Sequence, residues 1–173
     1  KKFRIELNAF PAEGAKLVEE LLMSEAYVCQ RLIATSSWSG WDKVKNYISE
    51  QTETHLVEAY EMEKLSSLSS PSQVIAIFSM RESRLDFNLN GELTLMLDDI
   101  QDPGNMGTII RTADWFGIKN IVCSLHTVDV YNPKVVQSTM SSLARENVLY
   151  TDLVAWLQKH PDVRVLASAM EGE

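Results

Sequence analysis

Residues 98–117 read DDIQDPGNMGTIIRTADWFG and come directly after an apolar run of strand length. They begin with carboxylates and a turn rich in Pro, Gly and Asn, and continue with Ile109, Ala113 and Phe116 at helical spacing. The pattern predicts a strand, a tight polar turn and a helix whose first N–H groups face the turn. Ligand sites of open α/β sheets lie at the carboxyl ends of strands. We therefore expect a functional site at this turn, with Arg111 about one turn inside the helix.

The rest of the chain alternates between strand and helix patterns, which predicts an α/β protein. In residues 1–80 we predict helices over 15–24, 39–50 and 61–68, strands over 28–35, 55–60 and 74–79, and a turn at 10–14. In residues 92–173 we predict strands over 93–97, 118–125, 148–150 and 163–169, and further helices over 133–144 and 153–159. The polar segment 81–91 is typical of a linker. The chain is thus predicted to form a small α/β sandwich, a linker and a second α/β unit.

Composition restricts the class of protein. Hydrophobic residues make up 45% of the 173 residues, which is enough for a packed core. The sequence has no apolar run of the roughly 20 residues that a membrane span needs, and its first residues do not resemble a signal peptide. Cys29 and Cys123 lie in apolar runs, and the cysteines and histidines lack zinc-binding spacing. These features predict a cytoplasmic protein with reduced thiols, no metal and no membrane contact. The net charge of −8 is the opposite of a typical nucleic-acid binder.

The stretch 98–117 nevertheless resembles the first motif of the SpoU-like (TrmH-type) RNA ribose methyltransferases of the SPOUT superfamily. The motif D-x-x-x-D-P-x-N-x-G-x-x-x-R-x-A-x-x-F-G is filled here by Asp98, Asp102, Pro103, Asn105, Gly107, Arg111, Ala113, Phe116 and Gly117. The resemblance implies methyl transfer from S-adenosylmethionine to a ribose 2′-hydroxyl of structured RNA, either rRNA or tRNA. It also implies a Rossmann-like domain with a deep trefoil knot and a homodimer formed through that domain.

Two further segments resemble the same family. Residues 10–22, FPAEGAKLVEELL, are similar to the opening of its N-terminal domain, which resembles ribosomal protein L30e and binds substrate RNA. Residues 132–136, NPKVV, resemble a later family motif, in which Gly is usual at the position of Ser141. The resemblance implies an L30e-like substrate-binding domain over residues 1–80. Candidate contacts to RNA phosphates are Lys16, Arg31 and Lys134.

The family assigns catalysis to the arginine that matches Arg111. A ribose hydroxyl is a very weak acid, so a fixed positive charge beside the developing oxyanion helps more than an ordinary base. Guanidinium stays protonated in proteins. We therefore predict that Arg111 stabilises the oxyanion and anchors phosphate, and that Asn105 hydrogen-bonds to Arg111 and orients it. The alternative is a surface arginine paired with Asp102 or Asp114.

The C-terminal end of the sequence bears on the cofactor. The family binds S-adenosylmethionine in the knot, through an Asn-Glu-Gly type loop and a final Ser-Leu-Asn type loop, and neither is found up to Glu173. Residues 92–173 therefore resemble the first half of the methyltransferase domain. We expect a fragment of the enzyme that has no cofactor-binding residues, does not close the knot and is inactive by itself.

Two other functions fit parts of the sequence. A noncatalytic RNA-binding module would need only the L30e-like half of the chain. A nucleotide-binding oxidoreductase would use the turn before Arg111, but the turn lacks the G-x-G-x-x-G pattern and no phosphate-binding lysine follows it. The methyltransferase remains the main interpretation, with the RNA-binding module as the alternative.

Overall fold

The computed structural model describes residues 2–83 and 91–168, which form two sheets and their flanking helices. The elements are α1 (Lys2–Leu7), β1 (Ala9–Glu13), α2 (Ala15–Met23), β2 (Cys29–Thr35), α3 (Trp41–Val44), a 3-10 turn (Lys45–Tyr47), β3 (Glu53–Val57), α4 (Ala59–Leu65), β4 (Val74–Ser79), β5 (Thr94–Leu97), α5 (Pro103–Trp115), β6 (Asn120–Ser124), α6 (Pro133–Thr139), a second 3-10 turn (Ser142–Ala144), β7 (Asn147–Thr151) and α7 (Leu153–Lys159). Each helix in this part of the chain is too short or too polar to span a bilayer.

The first sheet has the strand order β1-β4-β2-β3. Strands β2 and β3 are parallel, whereas β4 is antiparallel to both β1 and β2. Helix α2 covers the sheet with Leu17, Val18, Leu21 and Leu22, all buried, because these positions repeat at the helical period. Pro11 is accommodated in β1 because β1 lies at the edge of the sheet, where a missing N–H is tolerated.

The second sheet, β5-β6-β7, is entirely parallel. Its central strand β6 is buried along its whole length, as expected for a parallel strand covered on both faces. Ile121 and Cys123 pack with residues of α5 and α6, while Val122 packs on the other face with Trp156 of α7. The carboxyl ends of all three strands therefore lie at one edge, from which α5 and α6 begin.

The two sheets share one hydrophobic core. The rings of Phe10 in β1 and Tyr131, just before α6, lie 4.8 Å apart. The Tyr27 hydroxyl donates to the carbonyl of Leu143 at 3.2 Å, and the backbone N–H of Arg81 donates to the Tyr131 hydroxyl at 3.0 Å. The two units are therefore joined by packed aromatic rings and hydrogen bonds across their boundary.

Several predicted elements need correction in the first unit. Residues 10–14 were predicted as a turn, but most of them form β1, because β4 supplies a partner for every residue of that strand. The predicted helix 39–50 is shorter and broken into α3 and a 3-10 turn. Of the predicted linker 81–91, residues 84–90 lie outside the described part of the chain.

The second unit also differs from the sequence prediction. Phe116 was expected on the inner face of α5, but its side chain is 73% exposed and the buried face is formed by Met106, Ile110 and Ala113 instead. The helix predicted to reach residue 144 ends at Thr139, because the next two residues adopt left-handed backbone angles. No strand forms over 163–168, the described part of the predicted strand 163–169.

Candidate functional site

Helix α5 begins immediately after the loop that follows β5. The Asp102 carboxylate caps it by accepting a hydrogen bond from the backbone N–H of Asn105 at 2.7 Å, and Pro103 occupies the first helical position. Both residues suit the start of a helix, because the first N–H groups have no acceptor within the helix. The Asp102 carboxylate supplies one, and proline at the first position has no N–H that would need one. The Asp102 and Pro103 of the motif therefore set the direction in which α5 leaves the sheet.

The loops after β5 and β6 are bonded to each other at the carboxyl edge. The backbone N–H of Asp99 donates to the Ser124 hydroxyl at 2.9 Å, and that of Val128 donates to the carbonyl of Ile100 at 2.8 Å. These hydrogen bonds join the two loops to each other at the carboxyl edge of the sheet. That this chain does not bind the cofactor stays a prediction.

Arg111 is exposed and makes no hydrogen bond or ion pair with any described residue. The carboxylates proposed to neutralise it are both engaged: Asp102 caps α5, and Asp114 accepts from Arg145 Nε at 2.8 Å. That bond to Arg145 is the main reason why the pKa of Asp114 lies below its ordinary value. The guanidinium of Arg111 is therefore free for an anionic ligand.

The position of Arg111 differs from the prediction. The helix begins at Pro103, so Arg111 lies eight residues, about 12 Å, along α5 rather than one turn inside it. Helical side chains lean toward the N-terminus. We therefore expect the guanidinium to lie over the turn that contains Gly107, toward the carboxyl edge of the sheet.

The predicted hydrogen bond between Arg111 and Asn105, in which the guanidinium would donate, is absent among the described contacts. Asn105 precedes Arg111 by six residues, which rotates its side chain about 120° around the helix. Its backbone N–H binds the Asp102 cap, and its side chain is exposed. The orienting role of Asn105 therefore has no support in this geometry.

Gly107 permits α5 and α6 to approach closely. A Cβ atom on Gly107 would lie 2.3 Å from the Ser138 Cβ and 2.9 Å from its carbonyl carbon. The glycine of the motif is therefore explained by helix packing. Arg111 lies one helical turn beyond this contact, on the same side of α5.

The three candidate RNA contacts lie in different surroundings. Lys16 is exposed at the start of α2 with its Nζ 3.8 Å from Glu20 Oε1, a loose ion pair. Arg31 lies on the first sheet and is paired with Glu53 at 2.8 Å, so its charge is locally neutralised. Lys134 is exposed in the first turn of α6, and no described residue pairs with its ammonium group. The structure thus brings Lys134 and Arg111 to the same pair of helices and leaves Arg31 apart.

Sequence reasoning missed a groove between α2 and α6. Gly14, Lys16, Glu20, Gln137 and Met140 line it. Glu20 looks like an ordinary helix-surface ion-pair partner of Lys16 in the sequence. The one sequence feature that pointed to the groove was Ser141, where the family usually has glycine, because the backbone there is left-handed.

Ser141 adopts φ 72°, and Met140 before it adopts φ 49°. Such angles favour glycine, which is the residue that the resemblance predicted at position 141. The buried Ser141 hydroxyl donates a short hydrogen bond to the carboxylate of Glu20 on α2. The substitution is therefore compensated by a contact between the two units.

No group of His, Cys, Asp and Glu side chains within 2–83 and 91–168 is arranged to hold a metal ion. Cys29 and Cys123 are buried free thiols, and burial raises the pKa of each thiol to about 12. Neither thiol is a nucleophile at neutral pH, because the reactive form is the thiolate.

Comparison with known proteins identifies two families along the chain. Residues 92–173 match the SpoU rRNA methylase family, and residues 1–76 match the MRM3-like substrate binding domain. The 23S rRNA (guanosine(2553)-2′-O)-methyltransferase RlmP of Bacillus subtilis is 28% identical over 173 residues, 99% of this chain. The mitochondrial rRNA methyltransferase 3A of Danio rerio is 37% identical over 117 residues, 61% of this chain.

The crystal structure of an AdoMet-bound rRNA methyltransferase from Sinorhizobium meliloti superimposes on 92% of this chain, with a TM-score of 0.81 and 28% identity. All three relatives are longer than the region matched. The chain spans 66% of the Bacillus protein, 27% of the Danio protein and 60% of the Sinorhizobium chain.

Proposed function

We propose, since this chain belongs to the SpoU family of RNA methyltransferases, that it is part of an enzyme that methylates ribose 2′-hydroxyls of ribosomal RNA. The observation that carries this proposal is the free guanidinium of Arg111, exposed on α5 while both nearby carboxylates are engaged elsewhere. An unpaired cation has the charge that the reaction requires beside a ribose oxygen.

The chemistry needs an oxygen nucleophile whose proton leaves. S-adenosylmethionine, bound by the complete enzyme, supplies the methyl group on a sulfonium centre. Arg111 contributes electrostatically, because a guanidinium that stays protonated stabilises negative charge on the 2′-oxygen as the proton departs to solvent. The same group binds the adjacent phosphate and holds the ribose in place, so that part of the rate arises from positioning.

Three domain assignments belong to this proposal. Residues 1–80 bind the substrate RNA, residues 81–91 link the units, and residues 92–173 form the leading part of the methyltransferase domain. The matches to a substrate-binding domain and to a methylase family over nearly these ranges support this division. Of the candidate phosphate contacts, Lys134 has an unpaired ammonium group on α6, which packs beside α5. Lys16 and Arg31 would first have to break their ion pairs with Glu20 and Glu53.

We also propose a homodimer formed through the methyltransferase domain and a cytoplasmic location. Trp115 and Phe116, at the end of α5, are 85% and 73% exposed, which is unusual for aromatic residues and supports an interface on this domain. Sedimentation of the full-length protein tests the dimer, and a monomer at micromolar concentration would contradict it.

The role of Arg111 is tested with full-length protein, labelled S-adenosylmethionine and unmodified rRNA. We expect Arg111→Ala to lower kcat by about 10²–10³-fold, the usual effect of removing one oxyanion-stabilising group. Arg111→Lys retains the charge but not its planar shape, so an intermediate rate is expected.

The matched control is Arg164→Ala, which removes another exposed arginine. Undiminished transfer by Arg111→Ala would remove Arg111 from the mechanism. If the wild-type protein binds rRNA tightly but transfers no methyl group to any RNA, the noncatalytic RNA-binding module becomes the better description.

A further inference from the structure

The groove between α2 and α6 contains hydrogen-bonding groups that the fold does not use. Its walls come from both units: Lys16 and Glu20 from α2, Gln137 from α6, and Met140 from the left-handed turn after α6. The Gln137 amide has no hydrogen-bond partner among the described residues. Half-buried amides of this kind are available to a ligand.

Glu20 has one carboxylate oxygen engaged and one free. Oε2 accepts a hydrogen bond from the Ser141 hydroxyl, which also lies against the Met140 carbonyl. Oε1 lies 3.8 Å from Lys16 Nζ, too far for a hydrogen bond. The carboxylate is thus held in one orientation and presents unfilled acceptor sites in the groove.

The groove has a volume of about 220 Å³, which is enough for a flat apolar ligand. Gly14 contributes backbone only, at φ 113°, and a Cβ there would touch Gln137 Nε2 at 3.8 Å. The Met140 side chain, which also lines the groove, is 46% exposed although it is apolar. A polarizable thioether packs well against aromatic rings, so the two walls suit a base rather than a sugar.

Charge at the rim fits a nucleic-acid chain. Lys16 lies on one side, and Lys134 lies one turn before Gln137 on the same side of α6. Both ammonium groups are exposed and within reach of phosphates that would flank a base in the groove.

We propose that this groove is a subsite for one unpaired guanine of the substrate RNA. Guanine presents two adjacent donors, N1–H and N2–H, to the Glu20 carboxylate, and its O6 accepts from the Gln137 amide. Adenine, cytosine and uracil each offer a carboxylate at most one donor next to an acceptor. Single-stranded RNA is read in this way, by stacking and by hydrogen bonds to base edges. The inference rests on the proposed function, since it assumes an RNA substrate.

The test measures binding of labelled nine-nucleotide RNAs to the full-length protein by fluorescence anisotropy. One probe carries a single guanosine in a run of uridines, and the others carry adenosine, cytidine or inosine there. We expect the guanosine probe to bind about tenfold more tightly than the adenosine probe. Inosine, which lacks the N2 amino group, should fall between them.

Glu20→Gln keeps an oxygen that accepts from Ser141 but loses the second acceptor. It should abolish the preference for guanosine while binding of the adenosine probe and the unfolding midpoint stay unchanged. Met140→Ala should weaken all probes about equally, whereas Met23→Ala, which truncates a methionine of similar exposure (43%) on α2, should weaken none.

No guanosine preference in the wild type, or an unchanged preference in Glu20→Gln, would overturn the subsite. Methyl transfer measured on the same preparations separates this result from the proposed function. If Arg111-dependent transfer is present without a guanosine preference, only the subsite fails. If the preference is present and transfer is absent with every rRNA tested, the methyltransferase proposal fails and the subsite stands.

Discussion

Gly107 and Arg111 occupy neighbouring turns of α5, yet the structure gives them different tasks. Gly107 touches Ser138 so closely that a methyl group has no space, which makes its contribution one of packing. Arg111 touches no described residue with its charge, which leaves it available for a ligand. Spacing in the sequence grouped the two residues in one motif, and only the packing of α6 separates their roles.

Gly107→Ala should destabilise the protein by about 1–3 kcal/mol, because backbone atoms of Ser138 would have to move. The matched control is Gly104→Ala in the same helix, where the nearest atom to the new Cβ is the side-chain atom Asp102 Oδ1 at 3.1 Å, so we expect a smaller loss of stability. Urea unfolding measures both variants. Equal urea midpoints for the two variants would contradict the close approach of α5 and α6.

Ser141 allows a separate test of backbone strain. Ser141→Ala and Ser141→Gly both remove the hydrogen bond to Glu20, but only glycine adopts φ 72° without strain. We expect the glycine variant to be more stable than the alanine variant by about 1 kcal/mol in thermal unfolding. An alanine variant that is as stable as the glycine variant would contradict the left-handed conformation.

At the scale of elements, the C-terminal end of α5 and the start of β7 are held together by charges. Asp114 pairs with Arg145, and the buried Glu146 carboxylate lies 3.4 Å from Lys119 Nζ. Burial raises the pKa of Glu146 above its ordinary value, although Lys119 opposes the shift. The second oxygen of Glu146 has no hydrogen-bond partner among the described residues, so its ionised form is poorly compensated.

The sign of the pH effect follows from this shift. With a raised pKa, the folded protein binds more protons than the unfolded chain above the ordinary pKa of a glutamate, so stability falls as pH rises through that window. Glu146→Gln should remove this loss, so that its stability relative to wild type increases as pH rises above the ordinary pKa of a glutamate. Urea midpoints at several pH values measure it, with the exposed Glu63→Gln as control. A relative stability that falls with pH would contradict the assignment.

Regular periodicity explains which elements were predictable. Helix α2, strand β4 and helix α7 carry clear apolar patterns, and their observed bounds agree closely with prediction. Strand β1 was missed because its proline and short length resemble a turn, and its pairing with β4 is a long-range contact. The end of α6 was missed because two non-glycine residues adopt left-handed angles, which no local pattern indicates.

At the site, the motif predicts the location of the turn and the identity of Arg111, but not the surroundings of Arg111. Arg111 has no ion-pair partner because Asp114 pairs with Arg145 instead, and Arg145 lies thirty-one residues away in the sequence. The groove depends on α2 of one unit lying beside α6 of the other. Contacts between distant segments of this kind are set by tertiary packing, which a single sequence does not reveal.

At the scale of the whole molecule, the positions of the unpaired cations matter more than the net charge. The net charge is −8, and most cations of the first unit are paired with carboxylates, as in Lys43–Glu19 and Lys45–Asp42. Arg111 and Lys134 are among the cations without such partners in the described ranges. The proposed RNA binding therefore depends on a local surface along α5 and α6 rather than on the net charge of the chain.

The shared core gives that local surface a fixed geometry. The Phe10 and Tyr131 rings and the Glu20–Ser141 bond cross the boundary between the two units, so the groove between α2 and α6 is fixed relative to α5. A nucleotide bound in the groove would therefore set which ribose reaches Arg111. If the two proposals hold, this arrangement links recognition of the RNA in the groove to the chemistry at Arg111.

The central claim is that the methyl group goes to a ribose oxygen, and alkaline hydrolysis of labelled product tests it most directly. The full-length protein is incubated with labelled S-adenosylmethionine and rRNA, and the RNA is then hydrolysed completely in alkali. Alkali cleaves RNA through the 2′-hydroxyl, so a 2′-O-methyl group protects the adjoining bond. We predict that the label is recovered in an alkali-resistant dinucleotide and that Arg111→Ala removes it, whereas label in mononucleotides would show base methylation and contradict the account.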